Sequence, residues 1–206
     1  MKKPENQSWP APPPSHQEVI AAIRTLIRYI GDDPDRPGLI KTPERVLNAW
    51  RKEWGAGYST TYVAEQMQSI INGQFDDGAE NYNQMIAVQK IRFTSHCEHH
   101  LAEFSGNVSI AYIPERKILG LSKLVRVVNM FSKKLQVQER LTNNIADFIQ
   151  EYCHPIGIGV VVKARHSCMM SRGVNQSETE ATTSALRGEM LTKPEVRDEF
   201  LRLVGR

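Results

Sequence analysis

Ile156, Ile158, Val160, Val162 and Ala164 occupy alternate positions, with Gly157 and Gly159 on the opposite phase. A period of two with branched apolar residues on one side specifies a strand with one buried face. His166 and Cys168 continue the phase, so a strand that persists to 168 projects both side chains to the same side. Two further β-branched runs precede it, Met85 to Thr94 and Asn107 to Ile113, the second with Val108, Ile110 and Tyr112 on one face. Between the runs and the alternating strand lie two helical patterns. Leu124, Val128, Phe131 and Leu135 follow a capping candidate, Ser122, and Leu141, Ile145, Phe148, Ile149 and Tyr152 end near Pro155. Strands, two adjacent helices and more strands predict an α+β fold, with helices gathered on one face of an antiparallel sheet.

The first part of the chain is different. Of the eleven prolines, Pro4, Pro10, Pro12, Pro13 and Pro14 lie within the first fourteen residues. That composition cannot bury apolar surface, and residues 1–14 are expected to form a flexible arm. Ser15 with Glu18 is a capping-box signature ahead of Val19, Ile23, Leu26, Ile27 and Ile30, which predicts a helix over about residues 16–30. Turn residues 31–38 follow, then Thr42 as N-cap and Pro43 at the first helical position of a second helix carrying Val46, Leu47, Trp50 and Trp54. Residues 55–83 mix turn-forming and weakly helical segments. The expected organisation is an arm (1–14), an N-terminal helical region (15–80) and a sheet-bearing domain (81–206).

A chain of 206 residues can bury one sizeable core. No apolar run approaches the roughly 18 residues of a membrane span, and the opening residues lack the apolar core of a secretory signal. Three cysteines, at 97, 153 and 168, make a poor disulfide framework. A reducing, cytoplasmic setting is expected. The net charge of +3, with acids and bases interleaved, gives no ground for a nucleic-acid partner.

Chemistry concentrates in two clusters. Cys97-Glu98-His99-His100 offers a C-x-x-H spacing that lets one turn present two ligands to a tetrahedral metal, and Cys168 supplies a third. Cys97 alone would pass for a small buried hydrophobe. With two adjacent histidines and an in-phase His166 and Cys168, a zinc site with one open position is the better reading, and it implies hydrolysis. His99 and His166 would then stand beside the metal as acid-base groups, with His96 structural or exposed. Gln138-Glu139 at a helix start can read the donor edge of a purine, although a solvated first turn explains them equally well. Lys123, Arg126 and Arg172 could form an anion site or simply be solvated.

These motifs resemble the GTP cyclohydrolase I family. The resemblance runs through Lys41-Thr42-Pro43-Glu44-Arg45-Val46, the Cys-Glu-His-His cluster, Ala111-Tyr112-Ile113-Pro114, Gly120-Leu121-Ser122-Lys123, Gln136-Val137-Gln138-Glu139-Arg140-Leu141-Thr142 and Arg172-Gly173-Val174. It implies a T-fold, Zn2+ on Cys97, His100 and Cys168, and His166 as the group that protonates guanine N7. It also implies His99 and Ser122 in a later rearrangement, Gln138 and Glu139 at the guanine, and Lys123, Arg126, Arg172 and Arg45 at the triphosphate. The expected reaction opens the imidazole ring of GTP, releases formate and forms 7,8-dihydroneopterin triphosphate for folate, biopterin or modified-guanine synthesis. A homodecamer with sites at subunit boundaries is implied as well. Glu103, Ser171, Glu178 and Glu180 depart from the family pattern. Two competing readings are a noncatalytic T-fold scaffold stabilised by zinc and a T-fold enzyme acting on another pterin or deazapurine. Retention of His99, Ser122, Gln138, Glu139 and His166 argues against the first. The combination of Cys-Glu-His-His with a later His-x-Cys argues against the second.

Overall fold

A computed structural model describes residues 13–75, 82 and 84–204. Most of the expected arm, residues 1–12, lies outside the described residues. The chain divides into two compact units, residues 1–55 and 56–206.

In the first unit, α1 (His16–Tyr29) opens on the expected capping box. The Glu18 amide donates to Ser15 Oγ at 3.3 Å, and the Ser15 amide donates to the Glu18 carboxylate at 2.7 Å, which satisfies two of the amides that every helix start leaves unpaired. α2 (Thr42–Ala49) begins at the residue expected to cap it. Lys41 occupies the cap position without a side-chain bond, and Thr42 and Pro43 form the first turn. A single wide helical turn, Trp50–Trp54, follows, with the two indoles edge to face at 5.3 Å.

The second unit begins with α3 (Thr60–Ile71), capped by Ser59, so the helical region expected over residues 15–80 is shared between the units. Two short strands, β1 (Gln74–Phe75) and β4 (Ile118–Leu119), pair antiparallel. The main sheet is built from β2 (Ile86–Cys97), β3 (Glu103–Ile113), β5 (Leu135–Gln136), β6 (Gly157–His166) and β7 (Ala181–Gly188) in the order β5-β2-β3-β6-β7. All neighbours run antiparallel except the short β2–β5 pair. β2 and β3 are longer than their apolar runs suggest and carry the sheet to the Cys97 turn. A register shift between Val88 and Ile91, with Lys90 at φ +58°, marks a bulge in β2.

The apolar faces sort as alternation requires. Val108, Ile110, Tyr112, Ile158, Val160 and Val162 face α4 (Leu121–Ser132) and α5 (Gln138–Cys153) in one buried cluster with Leu124, Val128, Phe131, Leu141, Ile145 and Phe148. The architecture is therefore α+β, with a mainly antiparallel sheet and α4 and α5 together on one face, as a T-fold requires. A second cluster occupies the opposite face. There Met190 of α7 (Glu189–Thr192) and Phe200 and Val204 of α8 (Pro194–Val204) bury Ala111 and Val161. Gly159 admits this layer: a Cβ on it would meet the Phe200 ring at 2.7 Å and Met190 Sδ at 2.8 Å. The glycines on the off phase of β6 thus make room for a helix that follows them by some forty residues. No helix among the described residues is long and apolar enough to cross a membrane.

Candidate metal centre and active site

The ends of β2, β3 and β6 converge on one corner of the sheet. After Cys97 the chain folds back at once: the His100 and Leu101 amides both donate to the Cys97 carbonyl, at 3.2 and 2.9 Å, and the Cys97 amide donates to Ala102 O at 2.8 Å. Leu101 takes a left-handed φ of +53° to close the turn. The result sets Cys97 Sγ 3.6 Å from His100 Nδ1. Cys168 arrives from the other side. β6 stops at His166, and Ser167–Met170 form the single helical turn α6, so Cys168 leaves the strand phase expected of it and reaches the site from a helix.

The ligand atoms of Cys97, His100 and Cys168 all lie within 4.8 Å of one another. A sulfur about 2.3 Å and a nitrogen about 2.1 Å from one tetrahedral zinc lie about 3.6 Å apart, which is the observed Cys97–His100 spacing. The donor set, two thiolates and an imidazole, also suits a borderline-soft divalent ion. Partial burial and the neighbouring Cys97 push the Cys168 thiol up from its ordinary range, because adjacent thiolates repel. A divalent cation between the sulfurs reverses that preference.

His166 closes β6 directly opposite Phe104 in the β3–β6 ladder, and the two rings stack at 4.6 Å with an interplanar angle of 1°. Burial holds the imidazole below its ordinary pKa, opposed by the nearby Glu139 carboxylate. Its Nε2 lies 2.9 Å from Gln138 Oε1. Gln138 is buried, and its amide nitrogen donates within the chain to Val162 O, Ala181 O and Thr183 Oγ1 at 3.1, 3.0 and 3.2 Å. Glu139, one residue on, is exposed at the start of α5. The two members of the expected purine pair therefore have different environments. Nothing local in the sequence separates them, since the partners of Gln138 lie 24 to 45 residues away.

The remaining sites of the second unit fall around this corner and along α4. His99 is exposed, with Nε2 4.0 Å from Glu98 Oε1. Glu98 itself forms a two-bonded fork with Arg140. Ser122 lies within the first turn of α4, where Gly120 holds the cap position instead of the serine. Lys123 Nζ donates to Ser69 Oγ at 3.1 Å and Arg126 donates to Gln66 Oε1 at 2.9 Å, so both cations are held against the polar side of α3. Arg172 follows α6, its guanidinium 3.5 Å from Cys168 O. Arg45 is exposed on α2 in the N-terminal unit. His96 is buried, with burial lowering its pKa and Glu103, directly across the ladder, opposing the shift. The departure at Glu103 thus faces His96 on the neighbouring strand.

Residues 19–205 match the family model for GTP cyclohydrolase I. The chain belongs to the GTP cyclohydrolase I family. A GTP cyclohydrolase 1 of Janthinobacterium sp. (strain Marseille) is 50% identical over 180 residues, covering 87% of each chain. That of Rickettsia typhi is 42% identical over 193 residues, covering 94% of this chain and 98% of the relative. That of Leptospira biflexa is 44% identical over 182 residues, covering 88% and 95%. Among solved structures, an archaeosine synthase QueF-Like in the apo form aligns with 50% of this chain and 93% of its own at 19% identity and a TM-score of 0.43. The Cys-His-Cys cluster, His166 and the α4 and α5 sites all fall inside the span that the family model covers.

Proposed function

We propose that the protein is a zinc-dependent GTP cyclohydrolase that opens the imidazole ring of GTP, releases formate and forms 7,8-dihydroneopterin triphosphate. The observation that carries this reading is the Cys97–His100–Cys168 triad, whose spacing fits a tetrahedral ion, on the same strand end as the partly buried His166. Zinc on these three ligands would supply a polarised water at neutral pH.

The chain's own groups do the rest. Guanine C8 is a weak electrophile until N7 carries a proton, and His166, with a pKa depressed by burial, gives that proton up readily. Glu139, exposed at the first turn of α5, accepts from the ring N–H and exocyclic amine of the base. The Gln138 amide is engaged inside the fold, so this reading gives recognition of the base to Glu139. Lys123, Arg126, Arg172 and Arg45 supply cations for the triphosphate, which takes no part in the chemistry and serves to orient the base. The resemblance assigns His99 and Ser122, both exposed, to proton transfers during ribose rearrangement and ring closure. Carried over with the resemblance is assembly into a homodecamer, consistent with the exposed Leu26 and Tyr29 on α1 and Ile30 at its C-cap. The cytoplasm, as a reducing compartment, suits two thiolate ligands.

Zinc-loaded protein incubated with GTP should release formate and yield fluorescent neopterin after oxidation. Absence of both products from protein with a full zinc complement would reject the proposal.

A further inference from the structure

Gln138 is a polar side chain sealed inside the fold, and every hydrogen-bonding direction near it can be worked out. Backbone carbonyls can only accept. Because Val162 O and Ala181 O both lie within hydrogen-bond distance of one end of the Gln138 amide, that end is the nitrogen. The Thr142 hydroxyl donates to Gln138 O at 2.7 Å, so its contact with Thr183 at 2.7 Å must use the Thr183 hydrogen. Thr183 Oγ1 is then an acceptor for the Gln138 amide, at 3.2 Å. Both amide hydrogens are committed, and the carbonyl Oε1 is left facing His166 Nε2 at 2.9 Å. An amide oxygen cannot donate, so Nε2 must carry the hydrogen.

The ring itself has little freedom. Phe104 stacks flat on it at 4.6 Å, and the β3–β6 register fixes both backbones. Turning the ring over about Cβ–Cγ would put Cε1 where Nε2 stands and forfeit the bond to Oε1. Among the described residues no hydrogen bond from within the chain reaches Nδ1.

We infer that Gln138 is a positioning residue that fixes His166 as the Nε2–H tautomer, making Nδ1 the atom through which His166 passes a proton to the base. The inference about the base rests on His166 being the acid of the proposed reaction, whereas the tautomer stands on the hydrogen bonds alone. The proton balance is closed: the imidazolium holds a hydrogen on each nitrogen, the Nδ1 hydrogen moves to the acceptor nitrogen of the substrate, and the ring returns to the neutral Nε2–H form with its bond to Gln138 intact. Water reloads Nδ1. The glutamine next to the proposed purine-reading glutamate thus acts on the acid and not on the base. A metal-flanking histidine is held in the same way by a polar partner on its second nitrogen.

The test is solid-state 15N NMR of zinc-loaded, histidine-labelled protein at about pH 8.5, where a histidine is neutral, with His166 assigned by subtracting the spectrum of His166→Asn. The expected signature is a protonated Nε2 and an unprotonated Nδ1. The reverse assignment overturns the inference. In Gln138→Met, which keeps the volume and removes the amide, both tautomers should appear and kcat should fall about 10- to 100-fold with the KM for GTP within about twofold. A raised KM with unchanged kcat would instead mean that Gln138 touches the base, and overturns it. Should Gln138→Met fail to fold, the wild-type spectrum decides by itself. If wild-type protein shows the Nε2–H signature but does not turn over GTP, the tautomer assignment stands and the proposed reaction fails.

Discussion

Glu98 and Arg140 meet as a fork: the guanidinium donates to the two carboxylate oxygens at 2.6 and 2.8 Å. Glu98 belongs to the turn that presents Cys97 and His100, and Arg140 to the first turns of α5, which carry Gln138 and Glu139. The Glu98 amide adds a bond to Gln136 O at 3.1 Å, just before the same helix. A glutamate within the ligand turn invites the expectation that it orients a ligand imidazole, yet its carboxylate is turned to Arg140. The pair ties the turn of Cys97 and His100 to the first turns of α5.

The first prediction concerns this fork. Glu98→Gln and Arg140→Ala should each lower kcat about tenfold, and the double variant should be no worse than the poorer single one, because residues acting as a unit are not additive. Arg140 holds the Glu98 carboxyl below its ordinary 4.5. A depressed carboxylate pKa contributes above the unfolded value and is lost as pH falls through the folded one. The difference between wild type and Glu98→Gln should therefore be constant from neutral pH down to about pH 5 and shrink only in more acid solution. A kinetic pH series checks this, and a difference that vanishes near neutrality would assign the effect to another group.

Metal removal gives the second. Cys97→Ser and Cys168→Ser should each lose most bound zinc, measured by elemental analysis after dialysis, and lower activity by about two orders of magnitude or more. Cys153→Ser should keep its zinc. Burial pushes the Cys153 thiol up to about 12, so it is not a thiolate at working pH. Zinc loss in Cys153→Ser with retention in Cys97→Ser would reject the assigned ligand set.

The third separates binding from chemistry along α4. Lys123→Met and Arg126→Met should raise the KM for GTP about tenfold each with kcat within about twofold, since they are assigned to groups that do not react. In the structure both cations rest on α3, through Ser69 and Gln66. Substrate must draw them from these contacts or bind alongside them. Ser69→Ala should accordingly leave the KM for GTP unchanged or lower it. Steady-state kinetics on the three variants decide, and a kcat loss at unchanged KM in Lys123→Met would place the lysine in the chemistry.

Much of this was legible from spacing, and the illegible parts share a cause. The alternation from Ile156 to Ala164 and the helical repeats from Leu124 to Tyr152 encode their own faces, so the sheet and α4 and α5 could be read locally. Cys97 and His100 could be read because one turn joins them. β7 could not: Ala181-Thr-Thr-Ser-Ala-Leu-Arg-Gly is a half-exposed edge strand with Ala185 as its one buried residue, and its pattern carries little apolar contrast. β6 ends at His166 and does not persist to 168, and periodicity cannot show where α6 begins. Gln138 reads from the sequence equally as half of a purine-reading pair and as a solvated first-turn residue. Its burial depends on Val162, Ala181 and Thr183, which only the tertiary fold brings to it.

The last prediction tests the layer that the sequence hid. Gly159→Ala places a methyl 2.7 Å from the Phe200 ring and 2.8 Å from Met190 Sδ, closer than atoms in contact ever stand. Phe200 and Met190 are both fully buried, so neither has solvent to move into. Overpacking of this kind costs about 1–3 kcal/mol and should lower the midpoint of thermal unfolding by several degrees. Phe200→Leu alone leaves unfilled volume and should also destabilise, by about 1–3 kcal/mol. If the close approach is the cause, the two changes must compensate: the double variant Gly159→Ala with Phe200→Leu should be more stable than the sum of the single costs allows, since the methyl occupies space that the ring has vacated. Chemical denaturation of the four proteins measures the coupling. Simple additivity would mean that α8 shifts as a body to accept the methyl and that the glycine is not what seats it. Zinc content should be the same in all four, because this layer lies on the sheet face opposite α4 and α5, and a parallel loss of zinc would show that the two faces do not respond independently.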